Sequence, residues 1–203
     1  MKEVAAVANA PTASAPSRAG WVMPVVRAVI ALIPAIGITF TANHTPAMGL
    51  LVFGGFALAS GLAVGILSWF NLAGRGARVS FVTQGVVGIV VGVLALLTHS
   101  SGIGYFLYLV SLWAVVTGFL ELSSGIRMRR RSPAARDWMI VGGATVLLAV
   151  VFLLLPADPV AAVGLLGAYL VVLGVYLGIA GLSLKWTMDA PASPAVAKDS
   201  DSL

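Results

Sequence analysis

The chain has 203 residues, 60% hydrophobic, 9% charged and none of them cysteine. Twelve Lys and Arg against seven Asp and Glu give a net charge of +5, too few charges to cover a soluble domain, where about a quarter of residues are charged. That excludes a water-soluble domain, a disulfide scaffold, a Cys-ligated metal and a thiol nucleophile, and the sparse positive charge forms no groove or stripe for nucleic acid.

Residues 1–20, rich in Ala, Pro, Ser and Thr, read as a disordered tail. Asn9, Pro11, Thr12 and Ser14 interrupt the continuous apolar core that a cleavable signal needs. Six apolar stretches follow, at about 22–42, 46–69, 79–98, 102–126, 137–155 and 159–183. Each can cross a hydrocarbon core of about 30 Å at 1.5 Å per residue. They are continuously apolar, without the alternation of a barrel strand. Helices alone satisfy their own backbone in lipid, so the expected fold is all-α: a polytopic membrane domain of six transmembrane helices over 21–186. Residues 187–203 read as a second disordered tail.

The connections alternate. Asn43-His44-Thr45, Ser100-Ser101 and Pro156-Ala157-Asp158 are short turns without Lys or Arg, which pair the helices into three hairpins. Segments 70–78 and 127–136 read as longer basic loops, with Arg75, Arg78, Arg127, Arg129, Arg130, Arg131 and Arg136. Lys2, Arg18 and Arg27 lie towards one end of the chain, Lys185 and Lys198 towards the other. All twelve basic residues thus fall on or near one side, which the positive-inside rule places in the cytoplasm with both termini. Trp21, Trp69, Trp138 and Trp186 fall at the same interface, as an aromatic belt.

The hairpins repeat over about 22–70, 79–127 and 137–184. Gly61, Gly118 and Gly174 are spaced by 57 and 56 residues, and Phe56, Trp113 and Tyr169 align five residues before them. Pro46 and Pro159 open the second helices of the first and third units. Arg27 and Gln84 align in the first helices, with Ile140 opposite them in the third unit. Two spans per unit give every copy the same orientation, unlike an inverted-repeat transporter. Gly61/Gly65, Gly88/Gly92 and Gly174/Gly178 are small-xxx-small pairs that allow close helix approach. Packing within the chain is the simpler use of these glycines, and a homo-oligomer face is the other.

The second unit reads GVVGIVVGVLALL from Gly85, YFLYLVSLWAVVTG from Tyr105 to Gly118, then FLELSSGIRMRR to Arg130. The third reads DWMIVGGATVLLAVVFLLLP from Asp137, then GLLGAYLVVLGVYLGIAGLSLKW to Trp186. These resemble the short membrane repeat of the HdeD family, bacterial inner-membrane proteins of six helices, over about 22–186. The turn prolines are replaced in the second unit by Thr98-His99-Ser100-Ser101. The resemblance implies the bacterial inner membrane and a part in acid-stress resistance.

Two charges fall inside the spans, where charge is costly and a functional candidate by default. Glu121 and Arg27 come out at similar depth, about 8–9 Å from the basic side at 1.5 Å per residue. Either they pair between helices, with Gln84 joining, or Arg27 snorkels to the headgroups while Glu121 meets Arg75, Arg78 or interfacial water. The second reading is the simpler one. His44 and His99, at the opposite turns, are candidates for sensing external acid because the imidazole is the side chain that switches charge in the physiological pH range, although ordinary turn residues explain them as well. Arg127, Arg129, Arg130 and Arg131 are candidates for anionic lipid headgroups, with topology determination as their simpler use.

No phosphate-binding glycine loop, hydrolytic triad or metal-ligand spacing is present. No catalysis, cofactor or metal is expected, and the lipid bilayer is the expected partner. Three functions stay open: a non-enzymatic membrane protein of acid or general stress resistance, a proton or small-solute transporter or channel using Glu121 and Arg27, and a membrane scaffolding subunit.

Overall fold

The structure is a computed structural model that describes residues 20–71, 75–130 and 134–189. The two tails, except for Gly20 and the start of the second, and Arg131 lie outside these residues. Six helices make up the fold: α1 (Val22–Phe40), α2 (Pro46–Asn71), α3 (Arg75–Leu97), α4 (Ile103–Met128), α5 (Ala135–Leu154) and α6 (Pro159–Asp189). All six are long and apolar enough to cross a membrane, and the fold is that of a multi-pass membrane protein. Its outer surface is apolar: Ile33, Phe40, Leu97, Phe119 and Leu153 are all exposed. In water that surface would be a large aggregation patch; in lipid it is the solvated face.

The three short turns gather at one end of the bundle, the turn end. Pro46 and Pro159 stand as the first residues of α2 and α6, where the missing N–H removes nothing and the fixed φ suits the helix. Thr45 Oγ1 accepts the Met48 N–H at 3.3 Å. Asp158 Oδ1 likewise accepts from Val160 at 2.8 Å and Ala161 at 3.3 Å. The second turn lacks a proline and is closed by Gly102 instead, whose φ of 85° lies where side-chain-bearing residues are strained.

The opposite, basic end departs from expectation. Its connections are shorter than a reading of 70–78 and 127–136 as loops implied. Arg75 and Arg78 lie on the first turn of α3, Arg127 on the last turn of α4, and Arg136 on α5. Helix α6 also runs on through Lys185 and Trp186 to Asp189, into the stretch expected to be tail.

The packing partners are the larger correction. The most extensive contacts are not within the hairpins but between them: α2 with α3, α4 with α5, and α6 back with α1. Helices α5 and α6, joined by a tight turn, bring their backbones close at few positions. The reason lies in the glycines. A methyl at Gly61 would meet the Gly85 oxygen at 2.6 Å and the Ile89 nitrogen at 2.7 Å; one at Gly118 would meet the Val146 nitrogen at 2.8 Å and the Gly142 oxygen at 3.0 Å. At Gly174 it would strike Leu32 and come within 3.2 Å of the Ala28 oxygen. Ala28, Gly85 and Gly142 are each 57 residues apart, so one backbone-to-backbone contact occurs three times around a closed ring. Gly88 and Gly92 belong to it, against α2. Gly65 and Gly178 leave ordinary van der Waals room for a methyl and sit at the margins of these contacts. Gly54, Gly85, Gly125, Gly142 and Gly181 are among the close approaches that spacing along single helices did not single out.

Inside the ring, α2, α4 and α6 bury equivalent positions: Phe53, Val110 and Leu166, then Ala57, Ala114 and Leu170. Trp113 stacks edge-on against both Phe53 and Phe56 at 5.6 Å. Of the expected aromatic belt, Trp69 and Trp186 are exposed, and Trp21 lies under the Lys185 ammonium at 5.1 Å. Trp138 differs: it turns inward and packs on Phe81 at 4.9 Å.

Candidate functional site

One turn further towards the basic end, the equivalent inward positions are Val64, Glu121 and Leu177, all buried. A carboxylate therefore stands where the sister units place aliphatic side chains. On the first helices, Arg27, Gln84 and Val141 share a register of 57 residues. Val141 is buried, whereas Ile140, the residue aligned with them by sequence, faces outward.

These groups meet. Arg27 Nη1 donates to Glu121 Oε1 at 2.6 Å and Nη2 to Oε2 at 3.0 Å, the two-pronged geometry that suits a planar guanidinium to a carboxylate. Gln84 Nε2 donates to Oε2 at 3.3 Å. Arg27 is 8% exposed and Glu121 2%, so Arg27 does not snorkel and Glu121 does not reach surface water. The ion pair, not the simpler snorkelling arrangement, forms. The carboxylate is held by three donors from two other helices, α1 and α3, while the Gln84 carbonyl oxygen is buried without a hydrogen-bond partner, as are the hydroxyls of Ser68 and Ser111.

Both sides of the pair are closed. Towards the basic end lies a small apolar cluster of Met23, Val64 and Phe81 with Leu67 and Trp138 packed on it. Towards the turn end lies the main core, with Leu173, Leu170, Trp113 and Phe56. Two polar bridges that the sequence reading missed tie α5 to α6. Thr145 donates to the Val141 oxygen at 2.8 Å, so Tyr169 is the donor to Thr145 at 2.8 Å, and Tyr176 donates to Asp137 Oδ1 at 2.8 Å. The signal was Tyr169, an aromatic with a hydroxyl where its counterparts are Phe56 and Trp113; a buried tyrosine hydroxyl usually has a partner.

The remaining candidates lie apart from this cluster. His44 and His99 sit in the first two turns, at the far end of the bundle. His99 Nδ1 is 3.1 Å from the Leu96 carbonyl oxygen; a carbonyl only accepts, so Nδ1 carries the hydrogen. Arg127, Arg129 and Arg130 are exposed at the end of α4. Among the described residues no three His, Asp or Glu side chains gather as a metal site.

Residues 83–155 match a family described as a short repeat of unknown function (DUF308). The matched stretch covers most of α3 with Gln84, all of α4 with Glu121, and α5, and stops short of Arg27. No curated protein and no solved structure matches the chain.

Proposed function

We propose that this is a non-enzymatic protein of the bacterial cell membrane, of the HdeD kind, with a part in acid or general stress resistance and its basic end and both termini in the cytoplasm. The observation that carries this reading is the sealed ion pair. Arg27 and Glu121 are the buried charged residues of the described chain, and they neutralise each other between two apolar layers instead of lining a cavity. A permeation path normally needs several polar groups along water. Here a single charged cluster stabilises a closed bundle. The resemblance of the repeat supplies the stress role, and the twelve basic residues supply the orientation.

A second reading draws on the unpartnered Gln84 carbonyl beside Glu121, an acceptor that a proton-carrying water could use if the layers open. One experiment separates the two. Proteoliposomes carrying the full chain and an internal pH dye are expected to hold a proton gradient as well as empty vesicles. A deletion strain is expected to lose acid survival and regain it with the wild-type chain. Proton flux that disappears in Glu121→Gln would replace this reading with transport; unchanged survival of the deletion strain would remove the stress role.

A further inference from the structure

At the basic end a cavity of about 310 Å³ opens between the start of α3 and the end of α4, lined by Arg75, Gly76, Ala77, Ser80, Ser124 and Arg127 with Met128. Several waters fit in that volume, at about 30 Å³ each, so it is more than a packing gap. Arg75 and Arg127 are exposed, and among the described residues no carboxylate lines the cavity. Glu121, the nearest carboxylate along α4, is already engaged by Arg27. Two arginines thus line one space with no counter-charge among its described lining residues. Ser80 donates its hydroxyl hydrogen to the Gly76 oxygen at 3.2 Å and Ser124 to the Leu120 oxygen at 2.7 Å. The donors left for a ligand are the guanidiniums and the first N–H groups of α3, which have no acceptor within their own helix.

The repeat shows that this is particular to one place. The positions equivalent to Arg75, Ser80, Ser124 and Arg127 are Arg18, Met23, Leu67 and Phe70 in the first unit, where the cation of the second helix is replaced by an aromatic ring. In the third the last three are Asp137, Ala180 and Ser183, and Asp137 is taken by Tyr176. Of the three units, the second alone has arginines at both of the positions equivalent to Arg75 and Arg127.

We propose that this cavity binds a phosphate group. Paired guanidiniums match phosphate oxygens two at a time, and a basic pocket between helix ends lies at the depth of lipid phosphates. The ligand is therefore an anionic phospholipid headgroup or a soluble phosphate. The inference does not depend on the stress role.

The test uses the full chain in detergent, with native mass spectrometry of bound phosphatidylglycerol against diacylglycerol of the same acyl chains. Wild-type protein is expected to hold one phosphatidylglycerol at least tenfold more tightly than diacylglycerol. The double variant Arg75→Gln/Arg127→Gln is expected to lose that preference, and Arg129→Gln/Arg130→Gln to keep it. Equal unfolding temperatures of the lipid-free proteins show that the variants fold. Competition by millimolar inorganic phosphate assigns the site to soluble phosphate, and its absence to the headgroup; both uphold the site. A preference that survives Arg75→Gln/Arg127→Gln, or that falls equally in Arg129→Gln/Arg130→Gln, overturns it, as does no binding of either probe.

Discussion

Arg27 and Glu121 are 94 residues apart in the chain, and what brings them together is depth. Each lies about two turns inside its helix from the basic end, so a bundle that aligns those ends sets the two charges at one level. That much was legible from counting residues inward. Whether they would turn towards each other was not, because a long arginine within reach of the surface has a second solution in snorkelling. The choice was made by neighbours: Met23, Phe81 and Trp138 close the way to the surface. Breaking such a pair by removing one partner leaves an uncompensated buried charge, at a cost of about 3–5 kcal/mol, whereas an apolar set of similar volume is often neutral or better. The repeat shows which apolar set fits, since Leu177 and Val141 occupy the equivalent positions. Arg27→Gln and Glu121→Gln are each expected to lower stability in detergent by that order, and the triple variant Arg27→Val/Gln84→Val/Glu121→Leu to recover most of it. Urea or thermal unfolding decides; single variants as stable as wild type would show that the pair does not hold the axis.

Helix number and approximate ends were legible because hydropathy over 20 residues is a strong local signal, and the structure moves the ends by only a few residues. Helix partners were not. A three-residue turn requires two helices to be neighbours but says nothing of how closely they pack. In lipid that depends on which faces lack side chains. Gly61 on α2 finds Gly85 and Gly88 on α3, and Gly118 on α4 finds Gly142 on α5, across the basic end and not across the turns. Reading small residues as pairs along one helix therefore found the right type of residue but mixed essential glycines with marginal ones. Gly61→Ala, Gly88→Ala and Gly118→Ala, which drive a methyl into backbone, are expected to cost about 1–3 kcal/mol each. Gly65→Ala and Gly178→Ala have the room and are expected to be neutral or to gain up to about 1 kcal/mol from helix propensity. Thermal unfolding of the five purified variants checks the division, and an equal loss at Gly65 and Gly61 would contradict it.

At the scale of the molecule, the ring is closed by its two ends: α1 packs on α6 more extensively than on α2, to which it is joined. Gly174 and Gly181 on α6 receive Leu32 and Val25 of α1, and Arg27 of α1 supplies the counter-charge to Glu121 on α4. Helix α1 is thus held by contacts remote from its own connection, and the loop at Asn43 carries little of its placement. Cutting the chain there removes a covalent link but none of those contacts. Residues 1–42 and 43–203, expressed together as separate chains, are therefore expected to assemble and co-purify. The long fragment alone would hold an unpaired Glu121 and an open glycine face on α6, so it is expected to be degraded or to accumulate at a small fraction of the paired level. Arg27→Gln in the short fragment is expected to reduce recovery of the pair, whereas Ile33→Ala, on the exposed face of α1, leaves it unchanged. Membrane levels by immunoblot with a tag on each fragment measure all four cases. Equal accumulation of the long fragment with and without its partner would mean that α1 is an accessory to the bundle and not the element that closes it.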